Sequence, residues 1–123
     1  MKNAINWFEI PVKDYERAKK FYSNVLSGEI TDMHMEEMKY GVLPYDEKGN
    51  GVGGAIVKSD FSVPSVAGCT VYLNGGEDLQ LPLSKIEEAG GKIVMPKTSI
   101  GENGFMAQFF DTEGNKIALH SMN

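Results

Sequence analysis

At 123 residues with a formal net charge of −5, the chain is long enough for one hydrophobic core and too short for two ordinary domains. Hydrophobic residues at 41% and charged residues at 24% place it with folded globular proteins and exclude a disordered chain. The basic residues are scattered among a larger number of acidic ones, so no positive footprint exists for nucleic acid or an anionic membrane surface.

Asn6 to Val12, NWFEIPV, is apolar or aromatic with one charge and predicts a strand, with Pro11 marking its end or an edge. Asp14 is the expected N-cap of a helix whose apolar stripe is Ala18, Phe21, Tyr22, Val25 and Leu26, stopped by Gly28. Three further strands are expected at Glu29 to His34, Met38 to Leu43 and Gly53 to Lys58. After the loop SDFSVPSVAG, the run CTVYLN predicts another strand, in which Cys69 is expected as a small buried core residue. A second helix should carry Leu83, Ile86 and Ala89, with Pro82 in its first turn and Gly90 and Gly91 as its stop. GGKIVMP, FMAQFFD and GNKIALHS complete the set as strands. The lone cysteine forms no internal disulfide, and MKNAINWFEIPVKD has no apolar run of signal-peptide or membrane length, so the expected compartment is the cytoplasm.

The order of one strand, one helix and three strands occurs twice, and a duplication should relate the halves by one offset. The helix stops give 63 residues (91 − 28), which also pairs Ile30 with Ile93, Gly51 with Gly114 and Ala55 with Ala118. It sets Trp7 against Thr70 and Ile10 against Leu73. The expected organisation is one domain over 1–123, with modules at about 1–60 and 68–123.

With VKDYERAKKFYSNVLSG, IEEAGGKIV and FFDTEGNKIAL in these places, the chain resembles the vicinal oxygen chelate superfamily, which includes glyoxalase I, extradiol dioxygenases and the bleomycin and fosfomycin resistance proteins. The resemblance implies an α+β fold of two βαβββ modules, the glyoxalase/bleomycin resistance/dioxygenase-like fold, forming a curved sheet around a cleft. It also implies a homodimer, and a divalent metal held by His, Gln or Glu from the first and last strands of each module. Those four positions fall here on Trp7, Ala55, Thr70 and Ala118, none of which is a competent primary ligand, so no metal or other cofactor is expected.

Alternation along the strands puts Glu9 on the face of Trp7, Tyr72 and Asn74 on that of Thr70, and His120 on that of Ala118. The expected ligand-binding set is Trp7, Glu9, Ala55, Thr70, Tyr72, Asn74, Ala118 and His120, with glycine and alanine leaving room for a small organic molecule. Trp7 is read either as an aromatic wall or as a plug of the cleft. Glu9 within an apolar strand is either paired, open to water or functional, and His120 is either an exposed residue near the end or an active one. If Glu9 and His120 meet, they form a catalytic acid and base or hold a metal in a new place, so that the alternative to a binding protein is a lyase, isomerase or dioxygenase-type enzyme using this pair or displaced metal ligands. Met95 is expected in the core, whereas Met33, Met35 and Met38 are undecided and His34 is given no role.

Overall fold

The computed structural model describes residues 2–123, so that Met1, counted in the first expected module, lies outside the described residues. Two four-stranded mixed sheets form, and they share one connectivity. In the first, β1 (Trp7–Pro11), β2 (Thr31–Met35), β3 (Met38–Val42) and β4 (Gly53–Lys58) run in the order β1-β4-β3-β2. In the second, β5 (Tyr72–Asn74), β6 (Lys92–Ser99), β7 (Phe105–Phe110) and β8 (Lys116–Ser121) run β5-β8-β7-β6. The first and last strand of each set pair in parallel, and the rest are antiparallel.

Register carries the repeat further than order does. Glu9 pairs with Ala55 and Tyr72 with Ala118, both partners displaced by the same 63 residues (72 − 9 and 118 − 55). The third strands drift: Ala55 faces Val42 but Ala118 faces Gln108, an offset of 66 (108 − 42). The loops between strands absorb that difference without disturbing the parallel pair.

Helix α1 (Tyr15–Val25) starts where expected, with Asp14 accepting a hydrogen bond from the Arg17 amide at 3.1 Å. It buries Tyr15, Ala18, Phe21, Tyr22 and Val25, the expected stripe with Tyr15 added one turn earlier, while Leu26, expected as the stripe's last member, is the half-buried C-cap. Its end differs from expectation, because Ser27 takes the left-handed backbone at φ 51°. Gly28 follows where a Cβ would stand 2.7 Å from the Pro44 ring. The stripe joins Ile10, Val12, Ile56, Leu73, Leu83, Ile86, Phe109, Ile117 and Leu119 in one core, so both halves contribute to the same apolar interior. Each such fully buried side chain contributes about 1.5–3 kcal/mol.

Several expectations are corrected in the second half. Helix α2 spans only Gln80–Leu83, and the chain then continues in irregular turns to Gly90, because several later amides reach carbonyls three residues back. Leu83 and Ile86 are nevertheless buried. Strand β5 begins at Tyr72, so Cys69 lies outside it and is exposed rather than in the core. Met95 is also exposed, at 38%, since the register shifts on both sides of it break the alternation of edge strand β6 near Pro96. No helix among the described residues is long and apolar enough to cross a membrane.

Candidate functional site

The face of the first sheet opposite α1 is built by register. Trp7 and Glu9 of β1, Ala55 and Val57 of β4, and Met38, Tyr40 and Val42 of β3 share it. At its centre the Tyr40 hydroxyl accepts from the Trp7 indole at 2.8 Å and donates to Glu9 Oε2 at 2.8 Å. Burial and the Glu9 carboxylate push the Tyr40 pKa up, against the lowering effect of the indole donor. Glu9 is thus an exposed carboxylate with a phenol partner. Trp7 is 37% exposed and meets Tyr45 edge to face at 5.8 Å between centroids.

Room at the small residues of this sheet is taken up. A Cβ on Gly53 would stand 2.6 Å from the Tyr45 ring, and Ala55 is wholly inaccessible. Ala118 is equally inaccessible, so neither alanine presents surface to a ligand here. Thr70 is half-buried in the loop before β5.

On the second sheet, the parallel pairing sets Tyr72 beside Ala118 and Asn74 beside His120. Tyr72, Asn74 and His120 line a groove of about 650 Å³ together with Ile100, Asn103 and Met122. His120 Nε2 lies 2.6 Å from the Asn103 carbonyl oxygen, which can only accept, so Nε2 carries the proton. Apolar Ile100 and Met122 are 44% and 59% exposed, giving the groove an amphipathic lining.

The expected site residues therefore fall into two groups. Trp7 and Glu9 are bound through Tyr40, while Tyr72, Asn74 and His120 share the groove of the other sheet. Glu9 and His120 are joined by no hydrogen bond or ion pair among the described residues. Sequence reasoning missed Tyr40, Tyr45, Ile100, Asn103 and Met122. Alternation in MKYGV could have placed Tyr40 with Val42 on the face of Ala55, but the others come from loops and the end segment, where periodicity says nothing.

The four positions at which the resemblance puts metal ligands do not fit a metal. The Trp7 N–H is a donor already spent on Tyr40, the two alanines have no donor atom, and Thr70 offers a neutral hydroxyl. Among the described residues no group of three or more His, Cys, Asp or Glu side chains converges to hold one.

A family model, the Glyoxalase/Bleomycin resistance protein/Dioxygenase superfamily, matches residues 4–119. A glyoxylase-like domain-containing protein of Didymella fabae is 30% identical over 97% of this chain and 94% of its own length. Among solved structures, TnmS3, an antibiotic binding protein from Streptomyces sp. CB03234, is similar with a TM-score of 0.66 and 21% identity, covering 98% of this chain and 97% of that one. Glyoxalase I from Zea mays is similar with a TM-score of 0.69 and 19% identity over 94% of this chain. The chain spans only 45% of that enzyme's length. On the family model and the shared βαβββ connectivity, the chain belongs to the Glyoxalase/Bleomycin resistance protein/Dioxygenase superfamily.

Proposed function

We propose that this chain binds a small organic molecule without the family metal, in the groove formed by Tyr72, Asn74 and His120. The observation that carries the reading is the convergence of a phenol, an amide and an imidazole from adjacent strands on one amphipathic groove. The ligand class this suits is a small amphipathic compound with an apolar body and one or two hydrogen-bonding groups. The antibiotic binding recorded for TnmS3 of Streptomyces supports the idea that this fold sequesters such compounds. Acid and base chemistry by Glu9 and His120 would need both groups on one substrate, and their separate hydrogen-bonding partners argue against it. We also infer a cytoplasmic homodimer as the working form, and light scattering at micromolar concentration reads the dimer directly.

The test is a thermal-shift screen of the purified chain against small organic compounds, with metal analysis of the same sample. A ligand present at a hundred times its Kd should add about 2.7 kcal/mol of stability. Tyr72→Ala and His120→Ala should each weaken binding of a hit about tenfold, a loss of about 1.4 kcal/mol, without lowering the melting temperature of the free protein. A stoichiometric divalent metal in the purified protein, or hits indifferent to both substitutions, would overturn the reading.

A further inference from the structure

Three of the seven methionines occupy one patch apart from the groove just described. Alternation along edge strand β2 sends Met33 and Met35 to the face of Tyr40, and Asp32 and His34 to the face of α1, where the Tyr15 hydroxyl donates to Asp32. Only Glu36 and Glu37 separate β2 from β3, and Glu37 takes a left-handed backbone at φ 61°. That tight turn sets Met35 directly opposite Met38, and Met33 opposite Tyr40.

Directly opposed residues of an antiparallel pair hold their Cβ atoms about 4.5–5.5 Å apart, and diagonal neighbours about 7–8 Å. Unbranched methionine side chains, with three rotatable bonds each, close such gaps readily. Three thioether sulfurs can therefore meet at one point above the hairpin. Met38 packs against Tyr40, Ala55 and Val57, which supply an apolar floor, while Met33 and Met35 stay 46% and 38% exposed. A hollow of about 200 Å³ runs along this hairpin and touches both of its faces, lined by the three methionines and Tyr40 on one side and by Tyr15, Glu16, Asp32, His34 and Lys39 on the other.

We propose that Met33, Met35 and Met38 form a three-thioether site for copper(I). Thioether sulfur is a soft, neutral donor, and softness selects copper(I) over zinc, magnesium or calcium, which favour nitrogen and oxygen ligands. The Glu36 and Glu37 carboxylates at the turn add negative charge that favours a cation, offset in part by the Lys39 ammonium that lines the same hollow. Because a thioether has no proton to lose, uptake at this site is not coupled to proton release, unlike uptake by a thiol or an imidazole. The site uses none of Trp7, Ala55, Thr70 or Ala118 and stands independently of the organic-ligand groove.

The experiment is an anaerobic titration of the full chain with copper(I) against a competing chromogenic chelator, repeated with silver(I) as a redox-inert probe. Cys69→Ser is the background, since that exposed thiol is a rival soft ligand. One equivalent should bind in Cys69→Ser, with affinity unchanged between about pH 5.5 and 8, the range in which an imidazole changes charge. The combined Met33→Leu, Met35→Leu and Met38→Leu variant should bind at least about tenfold more weakly, leucine being close to methionine in volume so that the fold is retained. If that variant misfolds, the methionine methyl resonances of the unsubstituted chain decide: silver(I) should shift three of them and leave those of Met95, Met106 and Met122 in place. Copper(I) retained by the leucine variant, lost in Cys69→Ser, or released as pH falls through the imidazole range would overturn the assignment.

Discussion

The Glu113 carboxylate, its side chain wholly shielded from water, accepts hydrogen bonds from the Lys13 and Asp14 amides at 2.8 and 2.7 Å, from Arg17 Nε at 2.7 Å and from Thr112. Burial alone would raise its pKa, but the Arg17 guanidinium, the Asp14 amide, the Thr112 hydroxyl and the Lys13 amide outweigh it and hold the group at about 2. Beside it, Asp111 accepts from the Tyr22 hydroxyl at 2.6 Å, and the Asn115 amide donates to the Pro11 carbonyl at 2.7 Å. These three residues tie the β7–β8 turn to the end of β1 and the start of α1. Removing the carboxylate leaves the Lys13 and Asp14 amides without their acceptor, while the half-exposed Arg17 guanidinium turns to water, so Glu113→Ala should lower the unfolding free energy by about 3 kcal/mol, read from urea midpoints at neutral pH. Its folded pKa lies below the ordinary 4.5, so its contribution is complete above that pH and is lost as pH falls toward 2. The wild type should accordingly lose more stability than Glu113→Ala across that interval; parallel curves would contradict this account. Nothing in DTEGN taken alone announces the role. The run reads as a solvated turn, and the groups that bury and pair with it stand about a hundred positions earlier in the chain.

Among the elements, β4 shows how small residues can be read correctly as strand and wrongly as space. Its span, Gly53–Lys58, matches the sequence expectation, because GGAIVK ends in an apolar run between turn residues. Its glycines, however, accommodate rings: a Cβ on Gly54 would stand 2.4 Å from Phe8, and one on Gly53 would meet Tyr45 at 2.6 Å. The two contacts differ in how far they can yield. Phe8 packs against the shared core, so Gly54→Ala should cost about 1–3 kcal/mol through overpacking, measured by chemical unfolding. Tyr45 lies in the loop between β3 and β4 and can swing outward, so Gly53→Ala should cost less and instead change the fluorescence of Trp7, whose ring meets that of Tyr45. Equal costs for the two would show that Tyr45 is held as firmly as Phe8. The inward parity of Ile10, Ile56, Leu73, Ile117 and Leu119 was legible because period-two alternation is local. Cys69 and Met95 were not, since a short β5 and a bulged β6 depend on their neighbours and on Gly68 and Pro96.

At the scale of the molecule, the repeat was visible as an offset in the sequence, and the parallel pairs β1–β4 and β5–β8 keep it to the residue. How the halves join was not visible, because that depends on contacts distant in the chain. The two sheets are separate in hydrogen bonding, and what unites them is the larger, shared core and the polar tie at Asp111, Glu113 and Asn115. Phe21 of α1 stands 6.0 Å from Phe109 of β7, and a Cβ on Gly91 would come within 2.9 Å of the Phe21 ring. If either half unfolded alone, the other would be left with part of this core facing water, at about 25 cal/mol for each Å² of apolar surface exposed. The halves should therefore unfold together. The only tryptophan, Trp7, reports on the first half, while far-UV circular dichroism reports on both. In urea the two signals should give one coincident transition, with the same midpoint and slope. In Glu113→Ala both midpoints should move down by the same amount, because the tie belongs to both halves. A fluorescence transition that precedes the dichroism change would mean that the first half has a stability of its own, and that the shared interior does not couple the two.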